Sequence, residues 1–223
     1  MVDDLASRLS GIAALAEPVR RDLYLYVVRQ PQPVSRDQAA ADTGLPRHAV
    51  KFHLDRLVDE GLLDVEYRRL SGRQGPGAGR PSKLYRCSDR EVSVSLPERR
   101  YELVGRVFAD AIRHAAEGTP IADAVARAAT DAGRRLVATT GPVPVMQVLR
   151  SCGYEPRTTG DRVILVNCPF HALAAEHTAL VCGVNLDFLR AIAAELAPDT
   201  VDVRLDPGPG RCCVTLQPPP AVN

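Results

Sequence analysis

The sequence predicts a mainly α-helical chain with α+β elements, and three observations carry that expectation. Apolar residues recur at three- and four-residue spacing through the first 60 and the middle 45 positions, the period of helices with one buried face. Period-two alternation appears only in short runs, beginning at Leu63, Asp161 and Val201, so sheets are small. Pro and Gly punctuate the chain at 31–33, 72–81, 141–144 and 207–210, which divides it into 1–95, 96–140 and 141–223.

In the first division, Asp3 is placed to cap one helix, and Pro18 opens a second, PVRRDLYLYVVRQ, with Val19, Leu23, Tyr26 and Val27 on one stripe. Pro31 and Pro33 stop it. Ser35 then caps RDQAAADTG, which Gly44 ends. Pro46 restarts the chain as PRHAVKFHLDRLVDEG, with Val50, Leu54, Leu57 and Val58 on one face, and Gly61 ends that helix. Leu63, Val65 and Tyr67 alternate with Asp64, Glu66 and Arg68 as a strand does. The run GRQGPGAGRP is a loop, and KLYRC returns as the second strand of a hairpin.

Residues 96–140 read as two linking helices. Tyr101, Val104, Phe108, Ala111 and Ala115 form a seam on the first, suited to a dimer contact or to an ordinary core, and IADAVARAATDAGRRLVATT is the second. The last division mixes helices VMQVLRSCG, HALAAEH and NLDFLRAIAAEL with strands DRVILVN, VDVRL and CCVTL, the last two joined by DPGPG as a hairpin.

Charge narrows the function classes. The chain is nearly neutral at +1, yet from Glu66 to Arg90 seven Lys/Arg face two acids, a local +5. A basic stripe on an otherwise slightly acidic chain calls for a polyanionic partner at one place. Two helices joined by a tight turn, then a hairpin with a Gly-rich basic tip, outline a winged helix-turn-helix, whose second helix reads the major groove of a double-stranded DNA operator while the wing rests on phosphates. With Val50, Leu54 and Leu57 inward, Arg47, His48 and Lys51 point outward, His53 lies near the edge within reach of a phosphate, and Arg73, Arg80 and Lys83 arm the wing. No run of about 18 apolar residues is present, so no spanning helix is expected. The opening MVDDLASRLS lacks a basic start and apolar core, which favours a cytoplasmic location. Walker, Gly-x-Ser-x-Gly and Cys-x-x-Cys motifs are missing, so no enzyme is expected.

Six Cys is high for a reducing compartment, where structural disulfides are rare, and metal ligation or redox chemistry is the expected reason. Cys87 reads as a packed apolar side chain. Of Cys152, Cys168, Cys182, Cys212 and Cys213, the contexts NCPFH, VCG and GRCC place Cys168, Cys182 and the Cys212–Cys213 pair at element ends beside Pro or Gly. A straight helix from 169 to 182 would separate Cys168 from Cys182 by about 21 Å, so the chain must reverse, with His177–Thr178 the expected place. At period two, Cys212 and Cys213 face opposite sides of the last strand, so one of them ligates readily and both do not. Soft thiolates suit an iron-sulfur cluster or zinc; direct thiol sensing and a metal-free core stay open.

The stretch from Leu15 to Tyr85, with TGLPRHAVKFHLDRLVDEGLL and GAGRPSKLY, resembles the winged helices of the ArsR-type bacterial repressors. Together with a C-terminal cysteine domain it resembles the iron-sulfur-sensing repressors of the SUF cluster-assembly operon. That resemblance implies a cluster held by Cys168, Cys182 and Cys212, with His171, Cys213 and Cys152 as candidates for a fourth place, in a homodimeric repressor. The competing expectation is a winged-helix regulator that senses an apolar small molecule, its cysteines lining the core without ligating.

Overall fold

The computed structural model describes residues 2–69 and 81–219. The chain divides into two compact units, residues 1–94 and 95–223.

In the first unit, α1 (Val2–Ala14), α2 (Pro18–Val28), α3 (Arg36–Thr43) and α4 (Arg47–Asp59) accompany three strands, β1 (Val34–Ser35), β2 (Leu63–Arg68) and β3 (Ser82–Cys87). Local chemistry sets the helix ends. The Glu17 carboxylate accepts from the Val19 and Arg20 amides at 3.1 and 2.6 Å, and the Ser35 hydroxyl accepts from the Gln38 amide at 3.1 Å. Gly44 takes φ 71°, a left-handed conformation that closes α3 and lets α4 start three residues later. Ser35→Ala is expected to cost about 1 kcal/mol through the lost cap, read as a lower urea midpoint of this unit. The inward faces agree with the periodicity: Leu23, Val27, Val50, Leu54, Leu57 and Leu63 are buried together with Ala39 and Tyr85.

The hairpin β2–β3 pairs antiparallel from Leu63↔Cys87 to Arg68↔Ser82. β1 adds to the other side of β3 through Val34↔Tyr85, giving the order β1-β3-β2.

The second unit contains α5 (Tyr101–Ala116), α6 (Ile121–Thr140), α7 (Val145–Ser151), α8 (His171–Glu176) and α9 (Thr178–Leu196). Its strands are β4 (Pro156–Thr159), β5 (Arg162–Leu165), β6 (Asp202–Leu205) and β7 (Val214–Gln217). The strands form an antiparallel sheet in the order β4-β5-β7-β6. α9 is the axis of the core. Its Val181, Val184, Phe188, Leu189 and Ile192 are buried with Leu165, Val203, Val214 and Leu216 from the sheet. α6 packs against both α5 and α9 and buries Ala124, Ala128, Ala129, Ala132 and Gly133, small residues that let helices approach closely; Gly133 lies against Phe188 and Ala191 of α9.

Residues 96–140 were expected as a separate linking segment. Here they share the core of the second unit, because Val104, Val107, Ala111 and His114 of α5 and the Ala face of α6 are buried there. The expected seam on α5 is rotated accordingly: Val104 and Ala111 are buried, whereas Tyr101 is exposed.

Candidate nucleic-acid interface and cysteine centre

α4 turns Val50, Leu54 and Leu57 into the core, which leaves Arg47, His48, Lys51, Phe52 and Arg56 exposed. Arg47 pairs with Asp37 in the first turn of α3, and the hydrogen bond from Arg47 holds that carboxyl below the usual carboxylate range. Its side chain remains 65% exposed. A groove of about 500 Å³ runs beside α4, lined by Ser35, Arg36, Lys51, Tyr67, Ser82 and Lys83 among others. The helix-capping end of α3 and three cations thus border one concavity with, among the described residues, a single carboxylate, Asp37, and this excess of positive charge suits phosphate oxygens.

Two of the expected contacts are placed differently. Lys83 on β3 is engaged inside the unit: its ammonium lies 2.5 Å from Asp55 Oδ1 and 5.0 Å from the centre of the Tyr85 ring. The Tyr85 hydroxyl donates to the same oxygen at 2.8 Å. Burial raises the Asp55 carboxyl, but the hydrogen bonds from Lys83 and Tyr85 outweigh it and leave the group lowered. Lys83 therefore clamps β3 to α4 and has only part of its charge open to a phosphate. His53 lies on the core side of the α4 edge, its side chain 15% exposed and its Nδ1 3.5 Å from the Glu17 carboxylate, so it faces α2 and not the outer surface. Arg73 and Arg80 lie outside the described residues.

In the second unit, Cys168 stands between β5 and α8, Cys182 in the second turn of α9, and Cys212 and Cys213 immediately before β7. The helical run breaks at His177, between α8 and α9, where the reversal was expected. Cys182 and Cys213 are joined as a disulfide with Cα atoms 6.4 Å apart. The Cys212 amide donates to the Leu165 carbonyl at 2.7 Å, which holds that segment against the end of β5.

The Cys212 thiol donates to the sulfur of Cys168. That bond pulls the Cys168 thiol down to about 7 against the opposing effect of burial, and it pushes Cys212 up. Asn185 of α9, 1% exposed, donates from Nδ2 to Cys212 Sγ at 3.1 Å and accepts at Oδ1 from the buried Tyr154 hydroxyl. Contacts therefore run from Cys168 through Cys212 and its neighbour Cys213 to Cys182.

The four sulfurs come from three segments, and the two adjacent cysteines do turn to different partners, although both precede the strand that was expected to separate them. Among the described residues no group of three or more His, Cys, Asp and Glu side chains is set to hold a metal ion. Of the other candidates, His171 opens α8 with an exposed side chain. Cys152 is buried beside Ser151, Arg100 and Glu98, where burial first of all raises its thiol to about 11.

Residues 15–66 match a family model described as a helix-turn-helix domain. The N-terminal unit carries a helix-turn-helix domain. Such domains are the DNA-binding part of transcription regulators, and the match supports that class for this chain. No curated protein matches the chain. Among the described residues no helix is long and apolar enough to cross a membrane.

Sequence reasoning passed over three residues of the helix-turn-helix surface. Phe52, 64% exposed, sits opposite Leu54 and Leu57 on α4, and its place on the outer face follows from the helical period alone. Tyr67, 66% exposed, and Arg36 join the groove only because β1 brings the start of α3 beside the hairpin. That pairing is long-range and leaves no local signal.

Proposed function

We propose that this chain is a dimeric transcription regulator that seats α4 in the major groove of a duplex operator and whose cysteine centre adjusts operator affinity to redox or iron-sulfur status. One observation carries the DNA reading: the face of α4 opposite its buried Val50–Leu54–Leu57 stripe presents Arg47, His48, Lys51 and Phe52 beside the groove that Arg36 and Lys83 border. Arg and Lys there supply phosphate contacts or guanine contacts, and Phe52 offers an apolar surface for a thymine methyl.

Operator binding measured against salt is the test. With about three phosphate contacts per subunit the log-log slope is expected near −5. Lys51→Ala should weaken binding across sequences and reduce the slope by about 1. A slope near zero would remove the electrostatic reading.

For the cysteine centre, the donor set supports a thiophilic group. Cys168, Cys182 and one of the Cys212–Cys213 pair offer soft sulfurs from three segments, provided that the Cys182–Cys213 bond is reduced, since a disulfide sulfur lacks the thiolate charge that ligates. A bound iron-sulfur cluster would supply electron-transfer or oxygen-sensitive chemistry. The chain's own contribution is the arrangement of the donors. Asn185 and Tyr154 orient Cys212, and the Arg99 guanidinium, 3.2 Å from the Cys168 carbonyl, fixes the loop that carries Cys168. Iron and sulfide analysis of anaerobic protein tests the reading against Cys168→Ser and Cys212→Ser: unchanged content in both variants removes the cluster assignment, while the DNA reading stands on its own assay.

A further inference from the structure

The surface of α5 divides by chemistry into three arcs. Val104, Val107, Ala111 and His114 face the core. Glu102, Arg106, Asp110, Arg113 and Glu117 gather on one side. Between them, at about 100° per residue, Tyr101, Gly105, Phe108, Ala109, Ile112 and Ala116 fill a contiguous arc of roughly 100° that contains no charge. Ile112 is 66% exposed and Tyr101 41%, and a Cβ built on Gly105 would meet nothing within 4 Å. Single exposed apolar residues are ordinary, whereas a continuous stripe along four turns marks a contact surface.

We infer that this arc is where a second copy of the chain docks, with the two α5 helices antiparallel. This rests on the dimer reading above and names its surface. Size and charge select the occupant and its direction. Antiparallel stacking sets the notch at Gly105 beneath Ile112 of the second copy and places Tyr101 near the small C-terminal end of the arc. The same stacking brings Glu102, which borders the arc near its N-terminus, beside Arg113 of the second copy, which borders it near the C-terminus, and does so twice about the two-fold axis.

Parallel stacking would oppose glycine to glycine, leaving a void, and would turn the Glu102 and Arg113 flanks of the two copies to opposite sides of the contact, where they cannot pair. Within one copy, Glu102 pairs with Arg106, and Arg113 with Asp110 and Glu117. These pairs are solvent-exposed and weakly held, so re-pairing across an interface costs little.

Sedimentation of the full chain provides the test. The wild type is expected to be a dimer, and Ile112→Glu should weaken it more than about a hundredfold by placing carboxylates in the apolar arc. Glu102→Arg and Arg113→Glu should each weaken it about tenfold, and the double variant should recover wild-type association. The double variant has the same charge composition as the wild type, so recovery reports a contact and not a folding defect. If Ile112→Glu and both charge variants dimerise as the wild type does, the α5 surface is refuted while the dimer stands. Loss with Ile112→Glu but no recovery in the double variant overturns the antiparallel arrangement. A monomeric wild type at concentrations that saturate the operator overturns the dimer reading itself.

Discussion

Gly133→Leu is expected to unfold the second unit and to leave the helix-turn-helix domain folded. Gly133 lies where α6 crosses α9, and a Cβ there would stand 2.6 Å from the Phe188 carbonyl oxygen and 2.8 Å from the Ala191 Cβ. The first neighbour is backbone and cannot rotate away. Nor can the helix that carries it retreat easily, since Phe188, Leu189 and Ile192 are almost wholly buried in the same core. Overpacking by a methylene or two costs about 1–3 kcal/mol in a well-packed core, and four added carbons against a fixed carbonyl exceed that range. Even Gly133→Ala is expected to destabilise, although alanine is favoured over glycine in a helix by about 1 kcal/mol. Gly183→Ala on α9 is the control: it gains the same propensity with no neighbour within 4 Å. Amide exchange in α6 and α9 during urea titration reads the outcome, and protection unchanged by Gly133→Leu would mean that the two helices are farther apart than described.

How far this architecture was legible depends on where each signal resides. The stripe Val50–Leu54–Leu57, the Ser35 cap, the Gly44 stop and the Pro46 restart are local, and each stands where periodicity and capping chemistry place it. The two-residue β1 is too short to alternate, and Pro156–Thr159 is an edge strand whose Arg157, Thr158 and Thr159 are exposed, so neither shows an apolar pattern. α9 starts at Thr178, well before the expected NLDFLRAIAAEL, because its Val181, Cys182, Val184 and Asn185 are buried on more than one side and lose the amphipathic signature.

The sites follow the same rule. Outward positions on α4 are legible from the period, but Lys83 turning to Asp55, His53 turning to Glu17 and Asn185 turning to Cys212 are contacts across 28, 36 and 27 residues. Side-chain type alone favoured phosphate for the first two and said nothing of the third.

Reduction of the Cys182–Cys213 cross-link is expected to destabilise the second unit by about 4 kcal/mol. The two cysteines are 31 residues apart, and opening a loop of that length restores unfolded-chain entropy worth between the roughly 3 kcal/mol of a 15-residue loop and the roughly 4.7 kcal/mol of a 100-residue one. The bond ties the second turn of α9 to the segment entering β7, so its loss frees the strand that joins β5 to β6. Urea midpoints with and without dithiothreitol measure the effect. Cys182→Ser should reproduce the reduced midpoint and abolish the response to dithiothreitol, while Cys168→Ser should keep the response. A Cys182→Ser variant that still responds would assign the cross-link to another pair. The outcome also bears on sensing, because the state in which the second unit is least stable is the one in which Cys182 and Cys213 are thiols. A thiophilic group bound there would replace one closed loop by two, since it would link Cys168, Cys182 and one of the Cys212–Cys213 pair. Its binding is therefore expected to raise the midpoint of the reduced chain toward or beyond that of the oxidised chain.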